Sequence, residues 1–373
     1  MKEFSIYIHI PFCISKCSYC DFNSFSNMDN MIDKYVNTLL KEVEADSTFS
    51  NTDVCKTIYI GGGTPSYIDS KYIVQILNLI YSKYTVCDNA EITIEVNPSS
   101  VNYEKFKEYF NIGINRISMG LQTTNNDILK IIGRRHTYEE FLEKYNMARN
   151  VGFKNINVDI MLGLPNQTER DVIKDITKVI SLNPEHISCY SLILYENVPL
   201  YSQVKQGKYI LPSEEEEKNM IYSVQKMLKE AGYEHYEISN YAKPNMYSKH
   251  NLMCWNQYEY IGFGAGAHSF VDNVRFCNEE NLQKYITNNE KIVLEKMNKQ
   301  DLMKEYMILG LRLLKKIDAQ RFERLYNENI FNIFAKELQM LENEGYILCK
   351  KNSSISLTQR GIDFNNYICE QFI

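Results

Sequence analysis

Apolar and polar residues follow two alternating patterns over the first two thirds of the chain. Short apolar runs rich in β-branched residues predict strands, and they lie at residues 4–10, 57–60, 91–96, 115–119, 156–161 and 186–193. Between these runs apolar residues recur every three or four positions, which predicts amphipathic helices. Repeated strand–helix units give a parallel sheet with right-handed crossovers. The pattern therefore predicts an α/β fold, in which six units form either a partial barrel or a doubly wound open sheet.

The predicted helices lie around Leu39 and Leu77 and at residues 102–111, 138–150, 169–181 and 213–231. The last of these opens with Ser213 and four glutamates. Ser213 can cap the helix, with Glu216 reaching back in a capping box, and the acidic run suits the positive end of the helix dipole. We interpret these carboxylates as a solvated helix start rather than a metal site.

The last third of the chain has a different pattern. Residues 240–290 are poorer in periodic structure and rich in Tyr, Asn and Gly, and from about residue 300 the chain is helical again, with a helix near 330–344. Two short apolar runs, at residues 345–350 and 354–358, flank a polar turn and predict a hairpin. Helices followed by a hairpin resemble a winged helix.

In a DNA-binding winged helix, one helix contacts the DNA bases. The corresponding helix of this chain carries three glutamates, Glu337, Glu342 and Glu344, and only one lysine. That charge favours a packing or lid domain over DNA binding. We therefore expect a barrel domain at residues 1–235, a connecting segment at 236–299 and a winged-helix-like domain at 300–373.

Composition narrows the class of protein. The chain has 373 residues, of which 44% are hydrophobic and 24% charged, as in ordinary globular proteins. Its formal net charge of -6 argues against a nucleic acid as the main partner. We find neither an apolar run near the ~18 residues of a membrane span nor a cleavable signal pattern, so we expect a cytoplasmic protein.

Three of the ten cysteines crowd into eight residues, as Cys13-x3-Cys17-x2-Cys20 directly after the first predicted strand. In a reducing compartment such a cluster indicates metal binding rather than disulfides. Three thiolates can hold three irons of a cubane [4Fe–4S] cluster and leave the fourth iron open. A zinc site or three buried thiols are the alternatives, but structural zinc needs four ligands, and His9, the nearby candidate, lies inside a strand.

Further polar signals follow the later predicted strands. Gly61-Gly62-Gly63-Thr64-Pro65 follows the second strand. Glu95 ends the third strand, Gln122 follows the fourth, and Asp159 lies in the fifth. In parallel sheets, ligands bind at the carboxyl ends of the strands, so these groups describe one site with the cysteines.

Two later motifs lack such a context. One runs from His250 to the chain's only tryptophan, Trp255, and the other is the glycine-rich stretch at residues 262–269. The second does not fit the G-x-G-x-x-G pattern of dinucleotide sites. Taken alone, both motifs predict structural turns.

Together these residues resemble the radical S-adenosylmethionine superfamily, and within it the oxygen-independent coproporphyrinogen III oxidase group. The resemblance rests on residues 7–13 with the three cysteines, the glycine motif, and an ordered set of later matches: Glu95-x-Asn97-Pro98, Gln122, Gly133-Arg134, Asp159 and Gly163-Leu164-Pro165. It implies a partial (β/α)6 barrel with a C-terminal helical, winged-helix-like domain.

The resemblance also implies the roles of individual residues. Cys13, Cys17 and Cys20 ligate the [4Fe–4S] cluster, whose open iron binds S-adenosylmethionine. The implied contacts to that molecule are Gly62, Gly63 and Thr64 at its methionine end, Glu95, Gln122, Arg134 and Asp159 at its ribose and carboxylate, and Tyr7 and Tyr19 near cluster and adenine.

Within the group, the chain resembles the heme chaperone branch more than the oxidases. The oxidases carry a further cysteine where this chain has Phe22, and they have an N-terminal extension before the motif. The block of His250, Asn251 and Trp255 is similar to the chaperone pattern His-Asn-x-x-Tyr-Trp, with Cys254 in the tyrosine position. The resemblance implies heme as a further cofactor, with His250 as the candidate ligand.

Two functions lead on the sequence, and a radical enzyme that acts on another substrate is the remaining alternative. The first is a heme carrier that binds heme or a porphyrin, passes it to a heme-accepting protein and takes electrons from a donor. The alternative is an oxygen-independent coproporphyrinogen III oxidase. Phe22 and the missing extension favour the carrier, so we do not expect an active coproporphyrinogen dehydrogenase.

Overall fold

A computed structural model describes residues 1–350 and 353–373 of the chain. The strands are β1 Glu3–Ile10, β2 Phe12–Cys13, β3 Phe25–Ser26, β4 Val54–Gly62, β5 Thr85–Val96, β6 Arg116–Gln122, β7 Ile156–Leu162, β8 His186–Ser191, β9 Glu234–Glu237, β10 Asn240–Ala242, β11 Glu259–Phe263, β12 His268–Val271, β13 Val274–Asn278, β14 Lys291–Lys296, β15 Ile317–Asp318, β16 Ile347–Lys350 and β17 Ser354–Leu357.

The helices are α1 Ile32–Ala45, α2 Ser70–Lys83, α3 Tyr103–Asn111, α4 Asn126–Ile131, α5 Tyr138–Val151, α6 Glu169–Leu182, α7 Pro199–Lys205, α8 Glu214–Glu230, α9 Lys249–Trp255, α10 Leu282–Thr287, α11 Lys299–Gly310, α12 Ala319–Tyr326, α13 Ile330–Ile333, α14 Ala335–Asn343, α15 Gln359–Asp363 and α16 Asn365–Glu370. All six strands predicted for the first two thirds are present, and the helices predicted between them begin and end within two residues of expectation. Ser213 caps α8 in a capping box with Glu216, as its sequence predicts.

Six parallel strands form the centre of a twelve-stranded sheet. Strands β1, β4, β5, β6, β7 and β8 lie side by side in chain order, and each pairs in parallel with the next. A doubly wound sheet would reverse its strand order near the middle, and this sheet does not. Strand β8 pairs onward with β10, and β1 pairs with β11, so the barrel stays open. The predicted partial (β/α)6 barrel is therefore confirmed.

The segment that we predicted to be poor in periodic structure extends this sheet on both sides. Strands β9 and β10 follow β8 at one edge, and β11, β12, β13 and β14 continue from β1 at the other. Most of these strands have only three to six residues, too few for an alternation that stands out in the sequence. Strand β11 matters most for the site, because it pairs in parallel with β1 although the two strands lie far apart in sequence.

The two faces of the central sheet have different chemistry. The face toward the helices is apolar, and Ile6, Ile8 and Ile58 on it are fully buried against residues such as Leu39 and Leu77. The opposite face, which lines the inside of the barrel, is polar. Since successive side chains of a strand point to opposite faces, one set of strands supplies both the core and a polar interior.

The C-terminal region has its own core around Phe322, Leu341 and Ile355. Its three-stranded sheet has the order β15-β17-β16, and β16 and β17 form the predicted hairpin. The hairpin turn that we predicted at Lys351 and Asn352 lies outside the described residues. The helix predicted near 330–344 is instead two helices, which separate at Phe334, because that side chain turns inward to pack edge-on against Phe322 and Phe372.

Within residues 1–350 and 353–373, no helix is both long enough and apolar enough to span a membrane.

Candidate functional site

The three clustered cysteines lie on a loop at the carboxyl end of β1. The short parallel pair of β2 and β3 closes the base of this loop, because Phe12 pairs with Phe25 and Cys13 with Ser26. Cys13 is buried, and Cys17 and Cys20 are half-buried. All three thiols line one cavity of about 310 Å³, which we call the cysteine cavity. Its other walls come from the ends of β4, β5, β6, β7 and β8, so the predicted convergence at this edge of the sheet is present.

Two of the thiols accept hydrogen bonds from side chains of other strands and loops. Thr64 Oγ1 donates to Cys13 Sγ at 3.4 Å, and Arg134 Nη1 donates to Cys17 Sγ at 3.7 Å. Burial raises the pKa of the Cys13 and Cys20 thiols. A metal binds the deprotonated thiolates, so metal binding at these cysteines releases protons. The hydrogen bonds from Thr64 and Arg134 then stabilise the negative charge on the sulfurs.

The chemistry of these donors fits a cluster better than a single ion. All ten cysteines lie in the part of the chain that the structure describes, and all are free thiols. In that same part, no three His, Cys, Asp or Glu side chains are arranged to hold one metal ion. In a cubane cluster each thiolate binds a different iron, so the three sulfurs need not converge on one point.

The glycine motif forms the wall beside the cysteines. A Cβ atom on Gly63 would lie 2.8 Å from Cys13 Sγ, and Gly62 has a φ of 120°, which disfavours any other residue. The backbone N–H of Gly62 donates to Glu95 Oε2 at 3.2 Å. The missing side chains thus leave room next to the thiols, and a larger residue would fill the space that a cluster and its ligand need.

Two carboxylates face the cavity from neighbouring strands. Glu95 also accepts a hydrogen bond from Tyr59 at 2.9 Å, yet burial raises its pKa to about 7, with nearby Asp159 acting in the same direction. Burial also raises the pKa of Asp159, which accepts from Asn157 Nδ2 at 2.7 Å. Half-buried carboxylates with unused lone pairs are suited to accept hydrogen bonds from ligand hydroxyl or amino groups.

Arg134 and Gln122 complete the polar wall. Arg134 Nη2 donates to the Gly120 carbonyl at 3.1 Å, while its buried Nε has no partner among residues 1–350 and 353–373. Gln122, which is the last residue of β6 and has a φ of 75°, accepts from Tyr190 at 3.0 Å. A half-buried cation with a spare donor is suited to bind an anionic group of a ligand, such as a carboxylate.

A second cavity, of about 510 Å³, adjoins the first. We call it the histidine cavity, because His9, His250 and His268, three of the six histidines of the chain, line it. Its wall also includes Tyr7, Cys254 and Tyr260. Phe22, Gly62 and Glu95 line both cavities and form their common wall.

The tautomer of His250 is fixed by its neighbours. The hydroxyl of Thr57 donates to Ser5 Oγ at 2.9 Å, so its oxygen accepts from His250 Nδ1, 2.8 Å away. The proton therefore sits on Nδ1, and Nε2 keeps a lone pair. Burial lowers the pKa of His250 to about 3, so the ring is neutral at physiological pH. In the described part of the chain Nε2 has no hydrogen-bond partner, so its lone pair is available to a ligand.

The two motifs that we predicted to be turns differ in outcome. The glycine-rich stretch is the turn between β11 and β12, as predicted. The stretch from His250 to Trp255 is part of helix α9, so that prediction is wrong. Ser248 caps α9 by accepting from the N–H of Asn251, and Glu91 accepts the N–H groups of Lys249 and His250. These tertiary contacts stabilise a seven-residue helix that local periodicity does not reveal.

The structure distributes the predicted site residues over both cavities. Those lining the cysteine cavity are Cys13, Cys17, Tyr19, Cys20, Gly62, Gly63, Thr64, Glu95, Gln122, Arg134 and Asp159. Tyr7 and His250 line the histidine cavity, where the Tyr7 hydroxyl lies 3.0 Å from His9 Nδ1.

Sequence reasoning missed several residues of the cysteine cavity, namely Lys16, Phe22, Tyr59, Ser118, Gly120 and Tyr190. Gly120 carried a usable signal, because a glycine inside a buried strand indicates close approach of another group. Here that group is the Arg134 guanidinium, which a Cβ atom would overlap. Tyr59, Ser118 and Tyr190 are ordinary strand residues, and only their inward direction gives them a place in the site.

Comparison with known proteins places the chain among close relatives. Residues 7–179 match the Radical SAM superfamily, and residues 297–364 match the HemN C-terminal domain. The chain is 34% identical to the heme chaperone HemW of Bacillus subtilis (strain 168), over 99% of both chains. It is 32% identical to the mitochondrial radical S-adenosyl methionine domain-containing protein 1 of Danio rerio, over 92% of this chain and 80% of the relative.

Among solved structures, coproporphyrinogen III oxidase (HemN) from Escherichia coli has a similar fold, with a TM-score of 0.86 and 23% identity. The similarity covers 100% of this chain and 90% of the other.

Proposed function

The chain belongs to the HemW family of heme chaperones in the radical SAM superfamily, and from this premise we propose that it is a heme-trafficking protein. In this proposal it binds a [4Fe–4S] cluster, S-adenosylmethionine and heme. Its partners are a heme-accepting protein and an electron donor for the cluster. We further propose that it works in the cytoplasm, which its ten free thiols support, since a reducing compartment keeps cysteines unpaired.

The cysteine cavity supports the cluster and S-adenosylmethionine. Cys13, Cys17 and Cys20 would hold three irons, and the space that Gly62 and Gly63 leave beside them suits the fourth iron and its ligand. When bound, the cluster and S-adenosylmethionine together supply one-electron chemistry at a sulfonium. The protein's part is to hold the cofactor and shield it from water.

The remaining polar groups of this cavity match the functional groups of a nucleoside with an amino-acid tail. Asp159 and Glu95 can accept from ribose hydroxyls or the amino group, and Arg134 and Gln122 can donate to the carboxylate. Tyr19, which is half-buried beside the cysteines, offers a flat apolar surface for an adenine. These carboxylates act as hydrogen-bond acceptors in this proposal, and none is assigned as a general base.

The heme proposal rests on one observation, which is that hydrogen bonds fix the tautomer of His250. A neutral imidazole with a free Nε2 lines a cavity of about 510 Å³ that shares a wall with the cysteine cavity. Imidazole is a common axial ligand of heme iron. The hydrogen bond from Nδ1 to Thr57 orients the ring, as such bonds do for metal-binding histidines in general.

Oxygen-independent coproporphyrinogen III oxidase remains the alternative, and the fold shared with the Escherichia coli oxidase favours it. Against it stands Phe22, an aromatic residue at the position where the sequence resemblance places a cysteine in the oxidases. The two functions differ in outcome, because a carrier returns its tetrapyrrole unchanged and the oxidase decarboxylates it.

The test uses protein reconstituted with iron and sulfide without oxygen. We expect about four irons and four sulfides per chain, and a shift of the heme absorption spectrum on titration with ferric heme. His250→Ala should weaken heme binding by about 100-fold, because it removes an iron ligand rather than one of its supports. His235→Ala is the matched control, since His235 stacks on Tyr241 outside the histidine cavity.

A second assay separates the two functions. Incubation of the reconstituted protein with coproporphyrinogen III, S-adenosylmethionine and a reductant should leave the substrate unchanged. Formation of protoporphyrinogen would overturn the carrier proposal in favour of the oxidase.

A further inference from the structure

A set of buried polar side chains connects the cysteine cavity with the helix that carries His250. Asp159 lies in the wall of that cavity, and Ser248 caps α9. Between them, Asn157, His186 and Tyr236 are each at most 2% exposed and form a continuous chain of hydrogen bonds. Neither cavity includes these three residues in its lining. Their position inside the barrel is therefore not explained by ligand contact.

The chain has four short links. Asn157 Nδ2 donates to Asp159 Oδ1 at 2.7 Å, and Asn157 Oδ1 lies 2.6 Å from His186 Nδ1. His186 Nε2 lies 2.7 Å from the Tyr236 hydroxyl. The backbone N–H of Ser248 donates to the same hydroxyl at 3.2 Å. The links thus join β7, β8, β9 and the N-terminus of α9.

All four hydrogen bonds point the same way. The amide of Asn157 is oriented by two further bonds, since its Nδ2 donates to Ser118 Oγ at 2.8 Å and its Oδ1 accepts from Ser188 at 3.1 Å. An amide oxygen can only accept, so His186 must carry its proton on Nδ1. Burial lowers the pKa of His186 well below its usual value, so the ring has no second proton.

It follows that His186 Nε2 accepts from the Tyr236 hydroxyl, whose oxygen in turn accepts the Ser248 N–H. Each donor is directed toward Asp159, and the chain ends on that carboxylate. Hydrogen bonds arranged in series polarise one another, so a change in hydrogen bonding at one end of the chain alters the strength of the bonds at the other end.

We propose that His186 and Tyr236 are positioning residues that couple S-adenosylmethionine binding in the cysteine cavity to heme binding in the histidine cavity. This inference rests on the function proposed above. A ligand that hydrogen-bonds to Asp159 orders the carboxylate and, through the chain, the N-terminus of α9. Because α9 carries His250 and Cys254, heme then meets a wall that is already ordered and loses less conformational freedom on binding.

The expected coupling is modest. Glu91 also holds α9, because it accepts the N–H groups of Lys249 and His250 at 3.1 and 3.0 Å. Thr57 also bonds to His250 in α9, so the chain through Tyr236 is one of several tethers. We expect S-adenosylmethionine to tighten heme binding by about fivefold, at the lower end of typical coupling between two sites. Linkage requires heme to tighten S-adenosylmethionine binding by the same factor.

The test measures both affinities on cluster-loaded protein without reductant, so that S-adenosylmethionine stays intact. Ferric heme is titrated with and without saturating S-adenosylmethionine, and S-adenosylmethionine with and without heme. The wild-type protein should give a factor of about five both ways. In Tyr236→Phe, which keeps the ring but removes the hydroxyl, the factor should fall to near one. His186→Gln, which cannot bridge Asn157 and Tyr236 in the same geometry, should do the same and serves as a second variant should the first be unstable.

Tyr233→Phe is the matched control. Tyr233 is buried, and its hydroxyl donates to the Pro184 carbonyl at 2.7 Å, outside the chain. The control should keep the fivefold factor even if it loses stability. Equal heme affinity with and without S-adenosylmethionine in the wild type would overturn the coupling, as would a factor retained in Tyr236→Phe or lost in the control. Failure of heme to bind at all would instead overturn the function proposed above, so the two failures are distinguishable.

Discussion

The cysteine cavity and the histidine cavity share a wall but are assembled in different ways. The cysteine cavity is built from loops and strand ends that follow one another along the barrel, from Cys13 at the end of β1 to Tyr190 at the end of β8. The histidine cavity combines β1 with α9 and the turn after β11, which are more than 240 residues away in sequence. In the first, every member comes from the same edge of a parallel sheet. In the second, the members meet because β11 pairs with β1.

The difference extends to the chemistry of each cavity. The cysteine cavity holds thiols, carboxylates and a guanidinium, which are groups that bind metals and charged ligands. The histidine cavity holds three imidazoles and several aromatic rings beside three carboxylates and one thiol, and its best-defined group, His250, is uncharged. The candidate metal ligands differ, because they are three thiols in one cavity and one imidazole in the other. Each cavity should therefore be able to lose its ligand while the other keeps its own, and the variants below test that separation.

The largest effect is expected from Cys17→Ala. Two remaining thiolates cannot hold a cubane cluster with one open iron, so reconstituted protein should lose essentially all of its iron and sulfide. Iron and sulfide analysis measures this, and heme titration in the absence of S-adenosylmethionine should change by less than about twofold, since His250 is untouched. The control is Cys87→Ala, whose thiol donates to Asn89 in β5, away from both cavities. Retention of a full cluster in Cys17→Ala would contradict the assignment, and loss of heme binding would show that the cavities are not separable.

An intermediate effect is expected at the common wall, from Glu95→Gln. The pKa of Glu95 is about 7 in the folded protein, whereas its ordinary value is 4.5. At a pH between these two values, Glu95 is therefore protonated in the folded state and ionised in the unfolded state. Stability therefore falls as pH rises through this window, and the full penalty is present above pH 7. Removing the charge should raise the free energy of unfolding of the cluster-free protein at pH 8 by on the order of 2 kcal/mol, with little gain at pH 5.

Urea denaturation of the cluster-free protein at the two pH values measures this difference. Glu44→Gln, which changes an exposed glutamate of α1, should alter neither value appreciably. An equal gain at both pH values would indicate that packing, rather than the buried charge, accounts for the effect of Glu95→Gln.

The smallest effect is expected from Thr57→Val, which changes the hydrogen-bond partner of His250. Valine cannot accept the proton of His250 Nδ1, so the ring loses the bond that fixes its tautomer and direction. One such hydrogen bond contributes about 1 kcal/mol, which corresponds to about a fivefold weaker affinity for heme. Ferric heme titration measures it, and the iron content should stay at the wild-type level.

Thr93→Val is the control for this variant. Thr93 is buried on β5, the strand next to β4, and its hydroxyl has no hydrogen-bond partner in the described ranges of the chain. It should bind heme as the wild type does. A similar loss in both variants would attribute the effect to repacking of the barrel interior and leave the tautomer of His250 without a role.

The sequence, together with the family resemblance, predicted eleven of the residues that line the cysteine cavity, whereas Tyr7 and His250 were its only candidates that line the histidine cavity alone. Cys13, Cys17 and Cys20 are recognisable by their spacing, and Glu95, Gln122 and Asp159 by their place at strand ends. The sequence did not reveal Tyr59, Ser118 and Tyr190 as site residues. A strand residue that faces the inside of the barrel cannot be distinguished in the sequence from one that faces outward.

The sequence by itself determined the strand–helix repeat, the cysteine loop and the polar ends of the strands. These depend on local spacing and on the rule that parallel strands bring their carboxyl ends to one edge. Only the tertiary structure decided that β11 lies beside β1, that residues 249–255 form the helix α9, and that hydrogen bonds through His186 and Tyr236 connect Asp159 with Ser248 at the start of α9. Those features rest on strand pairing and hydrogen bonds between residues far apart in the chain, and no local pattern of apolar and polar positions specifies such partners.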